Sequence, residues 1–251
     1  MMDDDYDMED ISSPSSQAPV PVAAPLPTEV VHDGSSSLIV AIWGEHPKTG
    51  EVVSYLARWP PSRTPGAYAA WIAVERGPRS NSEITQDLAG LARDWEALKQ
   101  RAAALAVEPG AVRPNIEEGG ALQCSAGNPI VTVDVLDALA LAHGVLSGKW
   151  LIYAEPHKID DLWSRIVTAV IANAPAGVGA RAKVSPARPG EPHVVCVYVE
   201  DYSNAAEVDR VREALRRVGV RWKIGFKPDI YTHLGIYKTN EWKIRPSRYL
   251  A

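Results

Sequence analysis

The chain has 251 residues, 46% hydrophobic, 23% charged and 7% aromatic, which suits one globular domain with a sizeable core, or at most two small ones. Its two cysteines, Cys124 and Cys196, are too few for a disulfide framework or a four-ligand zinc site, and no apolar run approaches the roughly 18 to 20 residues of a membrane span. The net charge of −5 is uneven: residues 1–36 hold eight acids and no Lys or Arg, whereas residues 175–251 hold 14 basic and eight acidic residues.

Residues 1–36 read as a disordered tail. An acid cluster is followed by a Ser/Pro/Ala stretch with few large apolar residues, too little to offset the entropy of ordering. The tail's acidic start does not fit a secretory signal, which needs a basic start and an apolar stretch. With two cysteines and no signal, a reducing compartment is expected, the cytoplasm or the nucleus. Residues 37–251 are expected to form one domain.

Residues 38–43 make a short apolar run, expected as a strand. Thr49 opens a helix carrying Val52, Val53 and Leu56, which Pro60 and Pro61 end. Residues 71–75 form a β-rich run closed by Gly77 and Pro78. Leu88, Leu91, Trp95 and Leu98 recur at helical spacing, which predicts a helix over 83–105 capped by Asn81 or Ser82. Residues 106–131 lack periodicity and read as a loop insertion. Leu136, Leu139 and His143 mark a shorter helix.

Residues 149–154 read as a buried strand, and Asp160 and Asp161 as the start of the next helix. Residues 180–185 and 193–199 form a hairpin with a long turn. Asn204 and Glu207 fit a capping box before a helix that Gly219 stops. Strands are expected over 222–226, 234–238 and 242–244. Hairpins mixed with inserted helices favour an α+β fold, a curved antiparallel sheet backed by helices on one face. The other face stays open to solvent or a ligand.

Catalytic patterns are missing. There is no Walker loop, GxGxxG, GxSxG, HExxH or paired CxxC. No metal or cofactor is expected, and the chain is read as a non-enzyme. His143 and Cys196 read as structural. Most of the eight Trp residues should be core, but Trp71, Trp150, Trp222 and Trp242 sit on expected strands, where alternation sends some to the open face. A Trp there can stack a nucleobase.

Two segments stand out. In Arg181-Ala-Lys183-Val-Ser185-Pro-Ala-Arg188, alternation puts Arg181, Lys183 and Ser185 on one side of a strand, with Arg188 in the following loop. Three such cations can clamp a phosphate chain. The plain alternative is a solvated sheet face. The second segment runs from Phe226 and Lys227 through the Pro228–Asp229 turn to Tyr231 and Tyr237. It reads as a binding loop, or as structural, with Asp229 satisfying turn amides.

The stretches HGVLSGKWL (from His143), AKVSP (from Ala182), VCVY (from Val195) and KPDIYTHLGIYKTNEW (from Lys227) resemble the basophilic leukemia-expressed protein family. That family is similar in fold to the messenger-RNA cap-binding translation initiation factor 4E. The factor's Gly-Gly-Arg-Trp-Leu-Ile strand resembles Ser147-Gly-Lys-Trp-Leu-Ile152. Its phosphate-gripping Arg-x-Lys strand resembles Arg181-Ala-Lys183, and Arg188 matches its loop lysine. Cap recognition in that factor also needs two Trp residues and a Glu following one of them. No Trp-Glu pair occurs at the matching place, so the resemblance implies the phosphate half of such a site and not the base half. It supplies no catalytic residues.

The expected function is a binding protein that takes RNA, a nucleotide or another phosphate ligand on the open sheet face. Arg181, Lys183, Arg188 and Lys227 would hold phosphate, and Trp71, Trp150 or Tyr231 would stack a base. The alternatives are a protein-interaction module with no nucleic-acid role and an enzyme on small phosphorylated substrates.

Overall fold

A computed structural model describes residues 28–33, 36–43, 49–77, 86–107, 130–172 and 177–251. Among them, eight strands form one sheet: β1 (Thr28–Asp33), β2 (Ser36–Trp43), β3 (Trp71–Arg76), β4 (Gly148–Ala154), β5 (Arg181–Val184), β6 (His193–Val199), β7 (Gly225–Pro228) and β8 (Tyr249–Leu250). The spatial order is β1-β2-β3-β5-β6-β4-β7-β8. Every pairing is antiparallel except the parallel β2–β3 pair. The helices are α1 (Thr49–Arg58), α2 (Leu88–Val107), α3 (Val133–Ala142), α4 (Pro156–Ile171), α5 (Ala205–Arg217) and α6 (Asp229–His233). This is the expected α+β class.

Alternation separates the two sheet faces. On one, Ile72, Val184, Val195 and Ile152 follow one another across four strands by register. Val74, Ala182, Val197, Trp150 and Phe226 make a second row. All nine are at most 2% exposed. Against them α4 lays Ile159, Leu162, Trp163, Ile166, Val167 and Val170, all buried, and the helix packs on β3, β5 and β6. Burying side chains of this size stabilises by roughly 1.5–3 kcal/mol each. Tertiary burial, rather than intrinsic propensity, therefore fixes the helices to this face.

Several local expectations are corrected. β1 lies inside the segment assigned to the tail, while residues 1–27 lie outside the described residues. Of the insertion 106–131, residues 108–129 also lie outside them, and α2 runs on to Val107. The expected caps of α2, Asn81 and Ser82, lie outside the described residues; the helix starts at Leu88, where the Asp87 carboxylate accepts from Gly90 N at 2.7 Å. α4 begins at Pro156, whose fixed φ suits the first turn. Asp160 instead accepts from Ser62 N and Oγ at 2.9 and 2.6 Å, tying α4 to the loop after α1. The strand expected over 222–226 lies later, at Gly225–Pro228, because the buried Arg212 guanidinium takes the Val220 and Trp222 carbonyls. Residues 234–238 are not a strand. Leu234 and Ile236 are buried by a turn, their amides donating to Ile230 and Tyr231 carbonyls. Residues 242–244 carry no strand either, and the last is β8.

Candidate ligand-binding face

The face away from α4 gathers the other half of each strand. Register places Glu75 opposite Arg181 and Ala73 opposite Lys183. Lys183 lies opposite Cys196, Tyr198 opposite Lys149, and Lys149 opposite Lys227. Four cations from three strands, Arg181 and Lys183 on β5, Lys149 on β4 and Lys227 on β7, therefore occupy one wall.

Tyr198 is the centre of the group. The Arg181 guanidinium carbon lies 4.8 Å from its ring centroid, Lys149 Nζ 5.7 Å and Lys183 Nζ 5.8 Å. Such placements over a ring face are attractive. Burial pushes the Tyr198 hydroxyl's pKa above its ordinary value, so the phenol stays neutral. Arg181 also meets Glu200, with Nε 3.2 Å and Nη2 3.4 Å from its carboxylate oxygens. Glu200 is 62% exposed. A solvated pair of this kind contributes about 0–1 kcal/mol and yields readily to a stronger anion. Lys183 Nζ stands 4.1 Å over the Trp71 ring.

Lys149 is held differently. Its ammonium donates to Asp229 Oδ1, and Ser147 Oγ donates to Asp229 Oδ2 at 2.6 Å. Burial alone would raise the Asp229 carboxyl, but the Lys149 charge and these two hydrogen bonds outweigh it and hold the pKa below the usual carboxylate range. Asp229 thus does not satisfy turn amides as expected. It is the internal counter-ion of the wall. Lys227 is 6% exposed. Its Nζ lies 3.7 Å from the Tyr237 ring centroid, and it makes no ion pair among the described residues.

The expected site residues therefore divide. Arg181, Lys183, Lys227 and Trp71 share the wall. Arg188 does not join them: its stem lies against Gly66 and it faces Glu191 at 3.8 Å. Trp150 is in the core, 1% exposed, edge-on to Phe226, its indole donating to Val208 O at 3.3 Å. Tyr231 is fully buried. Neither can stack a base, because the pleat and the α6 turn aim both inward. Cys196 faces the wall by register but is 2% exposed, and burial pushes its thiol up to about 11. Among the described residues, no group of three or more His, Cys, Asp or Glu could hold a metal, and no helix is long and apolar enough to cross a membrane.

Lys149 and Tyr198 are the residues that sequence reasoning missed; Asp229 and Tyr237 lay in the candidate binding loop, without the roles they take here. Alternation within β4 and β6 would have put Lys149 and Tyr198 on the face of Lys183. Nothing local signals that Asp229 would reach back across 80 residues to Lys149.

C. elegans eIF4E-3, solved with the 4E-binding protein Mextli and cap analog, is similar at 12% identity and a TM-score of 0.34, covering 43% of this chain and 58% of that one. Ascaris suum eIF4E-3 with m2,2,7G cap is similar at 17% identity and a TM-score of 0.33, covering 42% and 58%. Schistosome eIF4E complexed with m7GpppA and 4E-BP is similar at 16% identity and a TM-score of 0.33, covering 61% and 80%. The chain thus spans less than two thirds of the first two proteins. The family model for basophilic leukemia-expressed protein Bles03 matches residues 41–235, more than half of the chain. The chain belongs to the Bles03 family.

Proposed function

We propose that this protein is a non-enzymatic binder of a phosphate-bearing ligand, RNA or a nucleotide, on the open face of its sheet. One observation carries the reading: Arg181, Lys183 and Lys149, from two strands that flank β6, converge on the Tyr198 ring within 6 Å. Phosphate recognition needs fixed cations spaced along a backbone, and a sheet sets that spacing at roughly 4.8 Å between strands. Trp71, beside Lys183, is the aromatic surface of the face. Among the described residues the wall pairs no nucleophile with a base: its thiol is buried and raised, and the Asp229 carboxylate is held by Lys149.

Binding of oligouridylate at two salt concentrations tests this. Each phosphate contact on a single strand contributes a slope of about −0.7 to log K against log salt. The variant carrying Arg181→Ala and Lys183→Ala should therefore lose affinity at low salt and flatten that slope by about 1.4. No binding, or binding that the double variant leaves intact, overturns the proposal. A partner protein captured equally by wild type and double variant would point instead to the interaction-module reading.

A further inference from the structure

Lys149 and Lys227 are directly opposed in register on β4 and β7. Like charges across a strand pair repel, and a carboxylate is the ordinary remedy. One carboxylate, Asp229, stands near both, and its ion pair is with Lys149. Lys227 is left more than nine-tenths buried, with a ring over its ammonium and no ion pair of its own among the described residues. Tyr237, which lies over it, is 53% exposed and is carried by a turn outside the sheet. A buried cation without a counter-ion is costly. It persists here on an open surface where a ligand can supply the missing charge.

We propose that Lys227 is the anchor for a phosphate group of the ligand, and that the Tyr237 ring is a cover that the arriving phosphate moves aside. The inference rests on the reading of the sheet face as a phosphate-binding surface. The phosphate completes the set that Asp229 begins: one anion for Lys149, one for Lys227.

The electrostatics give this site a signature that Arg181 and Lys183 do not share. Burial, with the like charge of Lys149 added, brings the Lys227 ammonium down to about 8, and Asp229 offsets only part of that. The charged groups facing it are Lys149 from β4 and Asp229 from α6, with the Tyr237 ring above. A bound phosphate stabilises the ammonium and raises its pKa toward the ordinary value near 10.4. Binding is therefore strongest below pH 8 and weakens above it. Between pH 7 and pH 9.5, deprotonation of the free protein alone costs about 20- to 30-fold in affinity.

Titration of the full chain with tripolyphosphate at pH 7, 8 and 9.5, at constant ionic strength, tests this. Wild type should lose about 20- to 30-fold over the range. Lys227→Arg, whose charge does not titrate, should bind at all three values with little loss. Lys227→Met should bind at pH 7 as weakly as wild type does at pH 9.5. Tyr237→Ala should bind at least as tightly as wild type at pH 7 and carry its loss to higher pH, since an uncovered ammonium is better hydrated. Wild-type binding that is flat to pH 9.5, or a pH dependence unchanged in Lys227→Arg, overturns this inference and leaves the phosphate-binding face standing. No tripolyphosphate binding by wild type at any pH overturns both.

Discussion

Asp229 shows how one side chain sets the electrostatics of a whole wall. It is 15% exposed and its partner Lys149 is 12% exposed, so neither charge is well solvated. Removing one partner of such a pair leaves the other uncompensated, and Asp229→Ala should cost about 3 kcal/mol by denaturant unfolding. The pH dependence has a definite sign. The folded carboxyl is depressed, so its contribution is complete above the unfolded value of about 4 and lost as pH falls through the lower, folded one. Wild type should therefore lose stability progressively below pH 4. Asp229→Asn, less stable at pH 7, should show a smaller further loss. An Asn variant with the wild-type acid profile would contradict this assignment. Sequence patterns revealed Arg181 and Lys183 because both lie on one short strand at a spacing of two. They could not reveal Asp229, whose role depends on a contact between β4 and the start of α6. The aromatic candidates misled for related reasons: alternation gives Trp150 two possible faces without saying which is which until the helices are placed, and Tyr231 is turned inward by α6.

At the scale of elements, the wall depends on how closely β4 and β7 approach. Gly148 pairs with Pro228, and a Cβ there would stand 2.5 Å from the Phe226 ring and 3.2 Å from the Lys227 carbonyl oxygen. Neither the core ring nor the backbone can retreat cheaply. Gly148→Ala should cost about 1–3 kcal/mol and weaken phosphate binding, because it shifts β7 and with it Lys227. A Gly148→Ala variant with wild-type denaturation midpoint and binding would show that the strands are not so constrained. The other elements divide by what fixes them. α1, α5, β3, β5 and β6 lie where periodicity and capping residues put them, because the signals are local: Asn204 accepts from Glu207 N at 3.3 Å, and Gly219 takes φ +102 after α5. β7 and the turn after α6 shift because distant partners decide them, Arg212 drawing in the carbonyls of 220 and 222 and the core taking Ile236.

Across the whole molecule, a closed apolar layer and an open charged one share a single sheet. The layer under α4 accounts for the buried core, and it would do so with any polar residues on the opposite side. Arg181 and Lys183 are therefore not needed for folding, and replacing them should leave the thermal midpoint within about 2 °C of wild type while altering binding. Both are half-buried residues on the solvent side of the sheet, and surface substitutions ordinarily change stability by less than about 0.5 kcal/mol. The uneven charge along the chain follows the same division, since β5 to β8 bring most of the wall from the basic C-terminal third. The most direct measurement is the backbone amide spectrum of the full chain during titration with tripolyphosphate. The account predicts shifts concentrated at Lys149, Arg181, Lys183, Tyr198 and Lys227, suppressed by added salt. Shifts confined to the helical side, or none at saturating ligand, would contradict it.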